Sequence, residues 1–406
     1  MNRARALIQQ DTLAGWTTEN PILEDGVFAM ELDVEENFAT IRMKKGDSVR
    51  HYLDLPYICC NASGPLEGNV LLNHAGTLTA YDSIHDAVTD SVDGDTIILL
   101  NDLTLTEAVD IDSKSIAING NGHNVDTANG AEGFWAHGGK VVKLYGFKKL
   151  SKPGTSSLEQ RWIVAAGDTD TVLYLDADEL YTDEQNIALA YNHAQVFVNA
   201  RKIYVGGKNS NGYSRKFFCT DRARLTISNA EITDDLLTIQ DSGKYIASVV
   251  CSGSVGDEDR AHLTILNCNV NCGAIFLHVE RGGVGTIDKS KVNCLADMPV
   301  YHLCDDLSGD KISKFVLRDS IIVSGSAAAA YYSSCAYAAQ NHGGTQFKYQ
   351  AEFYGINYIE DNGLTSYAMK VFGASPSDFN FKNFGILHLS KPSDNITFDH
   401  VAPIVI

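Results

Sequence analysis

Basic residues are scarce in this 406-residue chain: 32 lysines and arginines stand against 51 aspartates and glutamates, a net charge of −19. Phosphate binding needs a basic surface, so nucleic acid is not an expected partner. Proline is scarce as well, at 8 residues against 34 glycines, a balance that suits many strands joined by turns. Long apolar runs are missing: nowhere do 18 apolar residues stand in a row, the length a membrane span needs. The opening "MNRARALIQQDTLAGW" has no apolar core segment, so neither a signal peptide nor membrane insertion is expected. Cysteine comes as an odd nine without a short paired framework, which favours free thiols in a reducing cytosol during assembly. Cys-x-x-Cys, Gly-x-Ser-x-Gly and Walker motifs are missing too, and no cofactor or metal is expected.

What is present is enough for a sizeable core: 44% of residues are apolar and 20% charged. The length suggests about two or three units. Acid is unevenly spread, with ten acidic residues against Lys114 alone between 81 and 126.

Residues 1–58 read as a small β-rich module. Trp16 precedes an Asn20-Pro21 turn, Glu31 and Asp33 fall on a strand-like piece, and a Lys45-Gly46-Asp47 turn leads towards Leu55-Pro56-Tyr57. Residues 59–80 carry Gly64-Pro65 and Gly68 without a clear period and read as a linker. From Tyr81 the organisation changes. Ser83 is placed to cap a short helix with Ile84, Ala87 and Val88 on one face. In "DGDTIILLNDLTL", at 93–105, Asp93-Gly94-Asp95 reads as a turn that launches a buried strand.

Four later segments share the pattern apolar-x-polar-small-x-aliphatic, beginning at Ile227, Ile265, Ile287 and Leu317, with spacings of 38, 22 and 30 residues. Such spacings, with strands rather than helices between them, fit the rungs of a β-solenoid over 81–325. The small positions Ala230, Cys268, Ser290 and Ser320 are then expected to stack at a tight corner. Cys272 and Cys294 are expected in another interior column. "AIFLHVE" and "PVYHLCD" align with His278 over His302, 24 residues apart. Alternation places Leu277 and Val279 inward and His278 and Glu280 on the outer wall. Past 325 the repeat fades, which suggests a separate β-rich C-terminal cap, trimerisation or tip region over 326–406. It ends in the apolar "HVAPIVI".

Two stretches resemble known families. Trp16, Asn20-Pro21-Ile22-Leu23, Glu31-Leu32-Asp33, Lys44-Lys45-Gly46-Asp47 and Leu55-Pro56-Tyr57 resemble the N-terminal module of bacteriophage tail-fibre and tailspike proteins of the phage hyaluronate-lyase type. Asp93–Ile97 and Ile116–His123, after the capping helix, resemble the opening of a pectate-lyase-like right-handed parallel β-helix. The resemblance implies an all-β virion fibre or spike of the head or tail, assembled in the host cytoplasm. Residues 1–58 would bind other virion proteins, the chain would form a homotrimer, and the β-helix would meet a host-surface glycan. The alternative it leaves open is a polysaccharide depolymerase, a hydrolase or lyase acting on host capsule.

Cleavage of a glycan needs paired carboxylates, or a base beside a cation. The candidates are Asp176, Asp178 and Glu179, the Asp234-Asp235 and Asp305-Asp306 pairs, and Glu280 with Arg281. Adjacent carboxylates on a strand point to opposite faces. "DADE" at 176–179 reads as a solvated acidic turn at a loop or strand end. The strongest catalytic constellation is His278, Glu280 and His302 on one outer wall, with Asp305 nearby. Outward polar residues are the default on a solenoid, so the non-enzymatic reading is preferred and no catalytic residue is assigned.

Overall fold

The computed structural model describes residues 8–11, 28–35, 38–45, 57–59, 68–153, 162–183, 185–206, 215–234, 245–250, 260–273, 275–295, 298–304, 312–325, 335–341, 348–362, 367–372, 379–394 and 396–406. Among them the chain is all-β apart from one helix, Ile84–Asp90, and its long sheets are mostly parallel. No described helix is long and apolar enough to cross a membrane. The chain divides into two compact units, residues 1–102 with 115–119, and residues 103–114 with 120–406.

In the first unit, Phe28–Glu35 pairs in parallel with Ile8–Asp11 and antiparallel with Phe38–Lys45, which pairs antiparallel with Tyr57–Cys59. Glu31 and Asp33 lie on the first of these strands and Tyr57 begins the last. Trp16, Asn20, Pro21, Leu23, Gly46, Asp47, Leu55 and Pro56 lie outside the described residues.

The expected linker 59–80 is corrected in its second half. Val70–His74 and Thr77–Tyr81 form an antiparallel hairpin, and Val70–His74 also pairs with Thr96–Leu99. Val70, Leu71 and Leu72 are buried there, so tertiary pairing overrides a stretch with little period. Ser83 caps the helix, its side chain accepting from the His85 N–H. Asp93 Oδ1 then accepts from Ser115 N at 2.8 Å, Gly94 takes φ 94°, and buried Asp95 accepts from Val92 N at 2.9 Å. The two aspartates hold the turn before the buried strand Thr96–Leu99.

In the second unit three strands recur. Arg215–Thr220, Arg224–Ser228 and Glu231–Asp234 are followed by Tyr245–Val250, His262–Leu266 and Asn269–Cys272, then by Ile275–Glu280, Val284–Asp288 and Lys291–Cys294. Each pairs in parallel with its counterpart in the next set. In-register pairing stacks like on like: Val198, Ile227, Ile265, Ile287, Leu317 and Phe353 form one buried column. Burying each such side chain is worth roughly 1.5–3 kcal/mol.

The corner column Ala230, Cys268, Ser290 and Ser320 is buried as expected. Its composition has a hydrogen-bonding cause. Cys268 N donates to Ser290 Oγ at 2.9 Å, Ser290 N to Ser320 Oγ at 3.0 Å, and Ser320 N to Asn357 Oδ1 at 3.1 Å. Each rung thus supplies the acceptor for a buried N–H of the rung before. One residue earlier, Asn229, Asn267, Lys289 and Asp319 all adopt the left-handed region, at φ 61°, 53°, 48° and 47°. Cys272 and Cys294 stack in register as free thiols, sulfurs 3.1 Å apart.

The expected break at 325 is also corrected, because the same ladders continue. Phe315 pairs with Ala351, Ile322 with Ile359, and Val300 with Tyr337, and further strands follow as far as Ile404–Val405. The pattern fades because the bend gains a residue: Leu317 and Ile322 are matched by Phe353 and Ile359, with Gly355 at φ 71° in the left-handed position. A Cβ on Gly355 would collide with the Asp319 carboxylate. Gly355→Ala is therefore expected to destabilise the protein by about 1–3 kcal/mol. An unchanged midpoint in urea denaturation followed by circular dichroism would refute this constraint.

Candidate functional site

Three long strands, Val141–Lys152, Val172–Thr182 and Gln195–Val205, lie side by side in parallel. Along the middle strand Leu173, Leu175 and Ala177 point to the core, while Tyr174, Asp176 and Asp178 are exposed. The alternation slips at Asp178-Glu179, where two consecutive residues avoid the core, and again at Arg201-Lys202 on the third strand. The first strand carries a bulge between Leu144 and Phe147, with Gly146 at φ 72°. Bulges and slips of this kind bend a strand and re-aim its side chains.

"DADE" is therefore corrected: it lies within a strand rather than at a loop or strand end. An open groove of about 720 Å³ follows this bend, lined by Phe147, Lys148, Asp176, Asp178, Asn199 and Arg201 among others. Its floor is ordered by an amide ladder. Asn199 Nδ2 donates to Asp176 Oδ1 at 2.7 Å, Asn229 Nδ2 to Asn199 Oδ1 at 2.8 Å, and Asn267 Nδ2 to Asn229 Oδ1 at 2.9 Å. Arg201 sits 3.7 Å from Asp178 and 3.6 Å from Glu179 with all three side chains well exposed, so these pairs add little stability and leave polar groups available to a ligand.

Stacked aromatic pairs lie on either side along the strands. Tyr174 and Phe197 stack at 5.0 Å and 12°, and Tyr181 and Tyr204 at 5.0 Å and 4°. Lys149 Nζ lies 4.7 Å over the Tyr181 ring. A smaller groove of about 310 Å³ adjoins the second pair, with Glu179 and Lys202 in its lining. Sequence reasoning passed over Tyr174, Tyr181, Phe197, Arg201 and Tyr204. The signal for them was a 23-residue offset, because "VLYLDADELYT" and "QVFVNARKIYV" pair residue for residue.

The expected His278, Glu280 and His302 wall does not form. Ile275–Glu280 is buried along its whole length, with His278 at 2% and Glu280 at 5% exposure. The register also differs from the expected one: His278 pairs with Tyr301 and Val279 with His302. A one-residue offset sends a side chain to the other face of a sheet, so His278 and His302 lie on opposite faces. His278 stacks on Tyr301 at 5.5 Å and approaches Ser248 Oγ at 3.3 Å. Glu280 meets Arg281 Nε at 2.9 Å. His302 is interior, its Nδ1 2.8 Å from the Tyr337 hydroxyl and its ring edge-on to Tyr349. Asp235, Asp305 and Asp306 lie outside the described residues, while Asp234 accepts from Gly273 N at 2.8 Å. Among the described residues, no group of three or more His, Cys, Asp or Glu is arranged to hold a metal.

Burial lowers the pKa of His302 to about 3, so it stays neutral in the fold at pH values where the unfolded chain, near 6.5, takes up a proton. Its contribution to stability is complete above pH 6.5 and is lost progressively as pH falls towards 3. The melting temperature is expected to drop across that window, and to drop less in His302→Gln. Parallel acid profiles of the two proteins would refute the assignment.

Compared with protein-family models, curated proteins and solved structures, the chain matches none.

Proposed function

We propose that this chain is a structural fibre or spike of a bacteriophage virion, on head or tail. In this reading, residues 1–58 attach it to other virion proteins. Its second unit is a right-handed parallel β-helix that presents a face to host-surface glycan, and three copies assemble. The observation that carries the reading is the face around the bend: the pairs Tyr174–Phe197 and Tyr181–Tyr204 either side of Asp176, Asp178 and Arg201. Saccharides combine apolar ring faces with hydroxyls, and aromatic rings beside carboxylate, amide and guanidinium groups complement both. The in-register ladders supply a stiff support for such a face. Catalysis finds less support, since the residues the sequence favoured for it are buried.

Association is supported by the apolar C-terminal stretch, where Val401, Ile404, Val405 and Ile406 are 48–66% exposed on the single chain. A soluble protein seldom leaves such a cluster uncovered. Sedimentation is expected to give a trimer, and a stable monomer at micromolar concentration would contradict it.

Tyr174→Ala combined with Phe197→Ala is expected to weaken binding to host cells about tenfold or more, with the melting temperature little changed. Unaltered binding would place the contact elsewhere. Trp16→Ala with Tyr57→Ala is expected to remove the chain from assembled particles while binding to cells persists, as mass spectrometry of purified virions would show.

A further inference from the structure

Among the described residues, Cys219, Cys268, Cys272, Cys294 and Cys335 are free thiols, all buried. Backbone carbonyls hold three of them. Cys219 Sγ donates to the Ala223 and His262 carbonyls, both at 3.2 Å, Cys268 Sγ to that of Leu266 at 3.3 Å, and Cys335 Sγ to that of Tyr337 at 3.1 Å. Cys272 and Cys294 differ, because the sulfur of each meets the sulfur of the other at 3.1 Å.

Parallel in-register pairing produces this encounter. Cys272 ends the strand Asn269–Cys272, Cys294 ends Lys291–Cys294, and the two residues are direct partners. Neighbouring strands run about 4.7–4.9 Å apart, inside the span of about 4.4–6.8 Å between Cα atoms that a disulfide bridges. In-register residues of parallel strands point the same way, so both side chains leave their strands on one side. The sulfurs need to close by about 1 Å to reach a bond of about 2.0 Å. The next residue in the column is Ser324, whose hydroxyl is committed to Asp361 Oδ1.

Both thiols are enclosed, at 1% and 0% exposure, so a reagent reaches them through local opening. Their position favours it. Each is the last residue of a four-residue strand, and Leu295, next to Cys294, is 39% exposed. Element ends open at lower cost than the centre of a sheet.

We propose that Cys272 and Cys294 are a modification site: a disulfide that clips one rung to the next when the chain passes from a reducing to an oxidising solution. The co-reactant is a small-molecule disulfide such as oxidised glutathione. The thiolate of one cysteine attacks a sulfur of that disulfide, whose S–S bond breaks and releases one small thiolate. The thiolate of the second cysteine then attacks the protein-bound sulfur of the mixed disulfide. The Cys272–Cys294 bond forms and the second small thiolate is expelled. Two protein thiols are thereby oxidised, the small disulfide is reduced, and the released thiolates take up the two protons the cysteines lose. The bond joins residues 22 apart, which restricts the unfolded chain far more than a fold in which the two already touch. This chemistry is independent of what the outer face binds.

The test incubates the folded full chain, freed of reductant, with oxidised glutathione and in parallel with reduced glutathione. After denaturation and alkylation of the remaining thiols, peptide mapping by mass spectrometry is expected to show a Cys272–Cys294 cross-link in the first sample alone. The linked peptides should be two hydrogens lighter than the two free ones. The melting temperature is expected to rise by about 3–6 °C and to return on addition of dithiothreitol. Cys294→Ala should remove both the cross-link and the oxidation-dependent rise, whereas Cys268→Ala should leave both. The peptide map of the unaltered chain decides the question even where a variant fails to fold. Recovery of Cys272 and Cys294 fully alkylated from both samples would overturn the assignment. A glutathione adduct that persists on either residue, or a cross-link from either to a different cysteine, would overturn it as well.

Discussion

Everything in the second unit depends on one constraint: each strand hydrogen-bonds in parallel, and in register, with its counterpart one repeat further along the chain. Parallel pairing at the strand spacing places equivalent residues almost directly above one another. The sequence is therefore read vertically as well as along the chain. A residue is acceptable when it suits the residues above and below it, and this is why single columns hold aliphatic, small polar or aromatic side chains over many rungs.

The corner shows how polar groups survive inside such a stack. A tight bend leaves a buried N–H in every rung, and a serine or asparagine of the following rung accepts it. The left-handed residue beside it is asparagine, lysine, aspartate or glycine in turn, since geometry rather than chemistry selects it. The same economy of partners governs His302, which is neutral, enclosed and hydrogen-bonded to Tyr337. Histidines buried in this way are structural elements of the stack.

Stacking also shapes the outer face. Aromatic residues that recur at one register become paired rings, and amides that recur become a ladder. Where the strands bend, outward side chains converge on an open groove. A repetitive backbone thus yields distinct local chemistries from modest changes at a few positions.

Much of the architecture was legible in the sequence. The repeats beginning at Ile227, Ile265, Ile287 and Leu317 located the rungs, and the small residues within them located the corner. Ser83 and Asp93-Gly94-Asp95 located the helix and the turn after it, because caps and turns are local and depend on a few neighbouring residues. Three things were decided only by tertiary structure. The pairing of 70–81 depends on a partner strand distant in sequence. The continuation past 325 was masked by one inserted residue at Gly355, which breaks a linear pattern but not a hydrogen-bonded ladder. The placement of His278 and His302 turned on a register offset of a single residue. A strand alternates faces at every step, so sequence spacing fixes which residues are equivalent only once the partner strand is known.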